Sequence, residues 1–207
     1  MLNPTLLEGY RRFRAGSYTQ QRARYDELAN GQSPATMIIS CADSRADPAT
    51  IFDAAPGELF IVRNVANIVP PYEQDGGYHG VSAAIEFAVL GLKVSTIMVM
   101  GHGACGGVRA ALHGHDLMPP EDSFVTRWMS IVAPARNAVV HAAAADPALD
   151  AQHALELAVI RVSLANLRGF PFVAEAQAAG RLTLAGAHFS IASGKLELLG
   201  DEEFAPA

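Results

Sequence analysis

The sequence predicts an α/β fold: a mainly parallel β-sheet core flanked by helices, with an N-terminal helical arm and a C-terminal antiparallel strand. Three observations carry that expectation. Short apolar runs at 36–40, 59–63, 94–100 and 182–187 have strand length and alternate with longer segments of helical composition. Residues 2–30 place apolar side chains at three- and four-residue spacing and hold no strand-like run. Near the C-terminus, residues 189–192 and 195–199 flank Ser193-Gly194, a hairpin signal. The expected organisation is an arm over 1–30, an α/β domain over 31–200 and a loose tail, D-E-E-F-A-P-A, over 201–207.

In the arm, Leu6, Leu7, Tyr10 and Phe13 share a helical stripe with arginines between them, and Tyr18, Tyr25 and Leu28 continue on a second helix beyond Gly16. With so little core of its own, the arm is expected to pack on something else, a second subunit included. The first strand, T-M-I-I-S, runs straight into C-A-D-S-R at 41–45. Asp47-Pro48 reads as a helix start, with Asp as N-cap and Pro at the first helical position. Pro56-Gly57 is a turn, and a loop rich in Pro, Asn and Gly follows the second strand from Asn64 to about Gly77. Residues 81–92 read as a helix, apolar enough to be expected buried. After the third strand, 102–107 form a turn that opens a helix reaching about Leu112. Two Ala-rich helical segments, 121–145 and 150–168, are separated by Asp146-Pro147.

The chain of 207 residues is half hydrophobic and 17% charged, enough apolar material for one sizeable core. Its net charge of −6, without a basic stripe, argues against nucleic acid as a partner. No apolar stretch reaches the roughly 18–20 residues needed to span a bilayer, and the opening residues lack an apolar run before a cleavage site. The expectation is a cytoplasmic protein with no membrane partner. The two cysteines, Cys41 and Cys105, would in such a setting ordinarily be buried thiols.

Their neighbours argue otherwise. His102 and Cys105 stand at i, i+3, which at a helix start puts both side chains on one side of a turn. Cys41 follows the first strand and His102 the third, at the carboxyl ends where α/β sheets collect functional groups. Two thiolates and an imidazole suit zinc, and three protein ligands leave a fourth position open, as in catalytic rather than structural sites. The same segment, residues 101–106, also spells G-x-G-x-x-G, the dinucleotide fingerprint. The acidic residue that should close a strand about 20 residues on is missing: that stretch reads H-G-H-D-L-M-P-P-E-D-S-F. Asp43 and Arg45 lie beside Cys41. A free carboxylate there could itself take the open position, and a bidentate contact from Arg45 would hold it off the metal.

C-A-D-S-R at 41–45, P-G-E at 56–58, R-N-V-A-N at 63–67, V-P-P-Y at 69–72 and G-H-G-A-C-G-G at 101–107, in this order, resemble the β-class carbonic anhydrases, over about 31–200. The resemblance implies zinc on Cys41, His102 and Cys105, an Asp43–Arg45 dyad, and reversible hydration of CO2 to bicarbonate and a proton by attack of zinc-bound hydroxide. It also implies a homodimer with shared active sites and a helical arm wrapping the partner, dimer and tetramer both being open. Gln32, nine residues before Cys41, matches a substrate-binding glutamine of the plant-like subgroup. Phe60 and Val65 match residues lining the CO2 pocket, and Phe87 stands where that subgroup has a tyrosine, keeping an apolar wall without the hydroxyl. The other subgroup carries a tryptophan three residues before the first cysteine. Here that residue is Ile38, so the plant-like form is expected, with Arg45 keeping Asp43 off the metal; Arg63 is common to both. His79, His113 and His115 are proton-carrier candidates by proximity alone, and His141, His153 and His188 read as structural or exposed. A non-catalytic zinc clamp, and a hydrolase acting on another small linear molecule such as carbon disulfide, use the same residues.

Overall fold

The computed structural model describes residues 3–74, 77, 79–113 and 123–207. Its strands are β1 (Thr36–Cys41), β2 (Leu59–Asn64), β3 (Thr96–His102), β4 (Thr183–Phe189), β5 (Leu196–Leu199) and β6 (Phe204–Pro206). They form one sheet in the order β2-β1-β3-β4-β5-β6. The first four pair in parallel and the last two are antiparallel. The chain leaves β1 toward β2 on one side and returns to β3 on the other. The β1–β3 boundary is therefore a topological switch point, and Cys41 and His102 end the two strands that flank it.

Alternation along β1 sets the two faces. Met37 and Ile39 join Ile97 and Val99 of β3 in the main core. That core is closed by helix α5 (Gly80–Glu86, running on as a π-helix over Phe87–Leu92), α9 (Ala151–Arg168) and α10 (Pro171–Ala178). Ile38, Met100 and Ala187 point to the other face, where Ile51 and Phe52 at the end of α4 (Pro48–Ile51) provide thin cover. Asp47 caps α4 as its sequence suggests, its Oδ2 accepting from the Thr50 amide at 3.0 Å. A third cluster gathers Cys41, Ala66, Ile68, Cys105, Val108, Met129, Leu155 and Val159 around the strand ends.

The arm is α1 (Pro4–Ala15), α2 (Ser17–Gln20) and α3 (Arg22–Leu28), with no buried residue in any of the three. Phe13, Tyr18 and Tyr25 pack on one another, while Leu6 and Tyr10 stay exposed. Beyond β3 come α6 (Gly106–His113), α7 (Phe124–Met129) and α8 (Ala133–Ala145).

Five expectations need correction. The helix through 81–92 is buried on one side only: Phe87 and Leu90 are 53% and 55% exposed, on the helical face opposite the one on which Ile85, Ala88 and Val89 meet the core. The segment expected as one helix over 121–145 is, over its described residues, two helices, Phe124–Met129 and Ala133–Ala145, separated by a 3-10 turn over Ser130–Val132. Helix α10 occupies a stretch in which the sequence shows no helical period. The hairpin pairs β4, through Phe189, with β5, so residues 190–192 belong to the turn and not to a strand. The 201–207 tail is not loose: β6 adds to β5, with Leu199 opposite Phe204. Arg161 fixes it by donating to the Glu202 carbonyl at 2.8 Å and lying 5.0 Å over the Phe204 ring. Among the described residues no single helix is long and apolar enough to cross a membrane.

Candidate metal centre

Cys41 ends β1, His102 ends β3, and Cys105 sits one turn further on, just before α6. All three are buried, and one ligand atom from each lies within 4.8 Å of the others. The sulfurs are 3.9 Å apart. Two thiolates on a shared zinc at about 2.3 Å each stand about 3.8 Å apart in a tetrahedron, so the spacing fits the ion. His102 Nδ1 is 3.0 Å from the Gly103 carbonyl and donates its N–H there, which leaves a lone pair on Nε2. That Nε2 is buried and has no hydrogen-bond partner among the described residues. A buried, unpaired imidazole nitrogen facing two thiols is costly unless a cation takes all three.

The backbone around the centre is shaped for anionic sulfur. Amides of Asp43 and Ala66 approach Cys41, and those of Gly107 and Val108, at the start of α6, approach Cys105. Of the pair, Cys41 has its pKa drawn down. The hydrogen bond shared with Cys105 does most to lower its pKa, and the adjacent His102 ring and the two amides add to this against the effect of burial. Cys105 moves the opposite way, raised first by that hydrogen bond and then by burial. Burial is the largest influence on His102 and opposes its charged form. The adjacent Cys41 sulfur, the Gly103 carbonyl and the nearby negative charges outweigh it, so its pKa rises.

Three residues at the centre hold left-handed backbone without being glycine: Ala66 (φ 62°), Asn67 (φ 49°) and Ala104 (φ 54°). Such strain costs of the order of 1–3 kcal/mol per residue, and here it aims backbone groups at the cluster. Ala104 turns its carbonyl to Arg45 Nη2 at 3.1 Å.

Arg45 grips Asp43 with both ends of its fork, Nε to Oδ1 at 2.9 Å and Nη2 to Oδ2 at 2.7 Å, and its own amide adds a bond to Oδ1 at 2.9 Å. These contacts hold the Asp43 carboxyl well below the usual carboxylate range. Asp43 Oδ2 is 3.8 Å from His102 Nε2, at the edge of the cluster. Arg63 buttresses the segment, donating to the carbonyls of Cys41 (3.0 Å) and Asp43 (2.6 Å) and to Asp47 Oδ1 (3.0 Å).

Of the expected pocket residues, the chain brings one to the cluster. Val65 follows β2 on the site side, its carbonyl accepting from Trp128 Nε1 at 2.8 Å. Gln32, Phe60 and Phe87 lie toward the other end of the sheet. Phe60 pairs with Met37 in the register that sets Asn64 against Cys41, four residues away, or about 13 Å along the strand. Phe87 stacks on Phe60 with ring centroids 5.9 Å apart, and Gln32 lines a surface groove with Tyr25, Leu28 and Gly57. His79 begins α5, His113 ends α6, and His115 lies outside the described residues.

Sequence reasoning missed Glu156. It is buried on α9, accepts from the Cys105 amide at 3.0 Å, and is approached by Gln152 Nε2 and His188 Nε2. Burial raises its pKa, but the His188 and Gln152 bonds and the Cys105 amide bring it below the ordinary value. The available signal was an acid on the same helical face as Leu155, Val159 and Ile160.

Comparison with known proteins decides the family. A sequence model described as "Carbonic anhydrase" matches residues 36–196. The chain belongs to the carbonic anhydrase family. It is 35% identical over 191 residues to beta carbonic anhydrase 3 of Arabidopsis thaliana, covering 92% of this chain and 74% of that protein. Among solved structures it resembles the beta-carbonic anhydrase CcaA, with a TM-score of 0.90 at 29% identity over 98% of this chain and 91% of the other. It also resembles a tetrameric beta-carbonic anhydrase of Sordaria macrospora, with a TM-score of 0.83 at 28% identity over 95% of both chains. The chain is thus a β-class carbonic anhydrase, an enzyme of CO2 hydration, with the α/β fold of that class.

Proposed function

We propose that this carbonic anhydrase is zinc-dependent, that Cys41, His102 and Cys105 hold the ion, and that Asp43 and Arg45 form its catalytic dyad. The observation that carries the reading is the unpartnered, buried Nε2 of His102 facing two sulfurs 3.9 Å apart, beside a carboxylate whose oxygens are both bonded by Arg45. Zinc bound there would supply a Lewis acid that lowers the pKa of water from 15.7 to about 7, giving a nucleophile at neutral pH.

The chain's own groups orient the reaction. Asp43, ionised, would accept a hydrogen bond from the oxygen nucleophile and so orient that oxygen's lone pair toward the carbon of CO2. Arg45 keeps Asp43 charged and away from His102, which leaves the fourth position for solvent or substrate. Val65 gives an apolar wall. Gln32, Phe60 and Phe87 of a second copy complete the pocket, Gln32 orienting an oxygen and the two rings excluding water. The partly exposed Phe60, the exposed Phe87 and the coreless arm support a homodimer with shared sites. Pairing of dimers into tetramers is compatible with it.

The reading is tested by measuring bound zinc and CO2 hydration together in Cys41→Ala, His102→Ala and Cys105→Ala. Each variant is expected to lose zinc from this centre and activity together. A variant that keeps full zinc and full turnover removes its residue from the ligand set. A zinc-loaded wild type without hydration activity would leave a structural clamp.

A further inference from the structure

Behind the Cys105 loop stands a second group of ligand-type side chains. His153 and Glu156 are one turn apart on α9, and His188 faces them from β4. Ligand atoms from the three all lie within 4.8 Å of one another. Glu156 Oε2 is 3.2 Å from His188 Nε2 and 4.0 Å from His153 Nδ1. The two imidazole rings meet edge-on with centroids 5.0 Å apart. Glu156 and His188 are 3% and 2% exposed, while His153 is accessible. The group opens into a cleft of about 410 Å3 in which Asp150, Glu156 and Glu197 outweigh the single Lys195.

Hydrogen bonding within the protein leaves this group incomplete. Glu156 Oε1 is already committed to the Cys105 amide and Gln152. Among the described residues, Oε2 meets only imidazole nitrogens. A neutral His188 has one N–H and cannot donate to Glu156 and Glu197 at once. Among the described residues its buried Nδ1 has no hydrogen-bond partner, and Glu197 Oε2 stands 3.5 Å away.

We propose that His153 Nδ1, Glu156 Oε2 and His188 Nε2 form a second cation site, taking a divalent transition ion of the zinc class, with Glu197 as the outer carboxylate. Two imidazoles and a carboxylate suit such ions, and a metal on Nε2 fixes the remaining proton of His188 on Nδ1, aimed at Glu197. Ligands sharing one zinc at 2.0–2.1 Å stand about 3.3 Å apart. Glu156 and His188 already have that spacing, and His153, exposed on the first turn of α9, closes the rest by a small ring movement. Because Glu156 also holds the Cys105 amide, an ion here stiffens the segment that carries Cys105.

The test loads metal-free protein with Co2+ and then Zn2+, in wild type, His153→Ala and His188→Gln. At a cysteine centre Co2+ shows thiolate charge-transfer absorption. The second equivalent is expected to add d–d absorption alone, and zinc analysis to find two ions per wild-type chain. His153→Ala, at an accessible position, is expected to bind one ion, keep the thiolate band and hydrate CO2 as wild type does. His188→Gln should behave alike if it folds. One ion per wild-type chain, or a second equivalent that survives His153→Ala, overturns the proposal. The thiolate band reports the Cys41–Cys105 centre separately, so failure there is distinguishable from failure here.

Discussion

Asp43 stands two residues from one proposed ligand and 3.8 Å from another, so its own oxygens compete for the position the three ligands leave open. Arg45 decides that competition by engaging both oxygens. Asp43→Ala is therefore expected to keep zinc and lose about 100-fold or more in kcat, read by stopped-flow hydration alongside metal analysis. Normal turnover in that variant would remove the dyad. Gly101 tests the packing beneath the centre. A Cβ there would come 2.9 Å from Ile160 Cδ1, so Gly101→Ala is expected to cost about 1–3 kcal/mol, read from the urea midpoint. At this scale the sequence was informative where chemistry is local: Cys41, Asp43 and Arg45 fall in one pentapeptide, and His102 and Cys105 in one turn. Glu156 and Trp128 were not legible, because their contacts to Cys105 and Val65 cross 51 and 63 residues of chain.

Elements with a strong pattern were legible, and those made by context were not. β1 and β3 are apolar runs with strand length, and both were expected near where they occur. α10 begins at Pro171 without a side-chain cap, in a segment too short and too evenly apolar to show a period. β6 has three residues, one of them proline, and exists because the open edge of β5 accepts it and Arg161 anchors it. Phe204 packs against the main core. Phe204→Ala is accordingly expected to destabilise the protein by about 1–2 kcal/mol with hydration activity retained, since β6 lies three strands from the β1–β3 switch point. An unchanged urea midpoint would mean that the strand is ornamental.

For the whole molecule, the proposed pocket residues of one chain stand at opposite ends of its sheet, which is why the proposal needs a second copy. Val65 stands with the metal cluster, whereas Phe60 stands about 13 Å away along its strand, with Phe87 packed on it and Gln32 ahead of β1. Sequence motifs named all four residues but could not say which would share a chain's own site. That depends on sheet register and on a second copy. A shared site predicts complementation. Asp43→Ala and Gln32→Ala subunits, unfolded and refolded together, should regain activity above either parent, because each mixed dimer holds one site with both residues intact. Activity equal to the mean of the parents would place Gln32 and Asp43 in separate roles. The most direct test of the central claim is stopped-flow CO2 hydration on the protein as purified, after removal of metal by a chelator, and after zinc is restored. The account predicts fast hydration, then its loss, then its return with zinc bound at the Cys41–His102–Cys105 centre. Full activity in metal-free protein, or none in the zinc-restored protein, would contradict it.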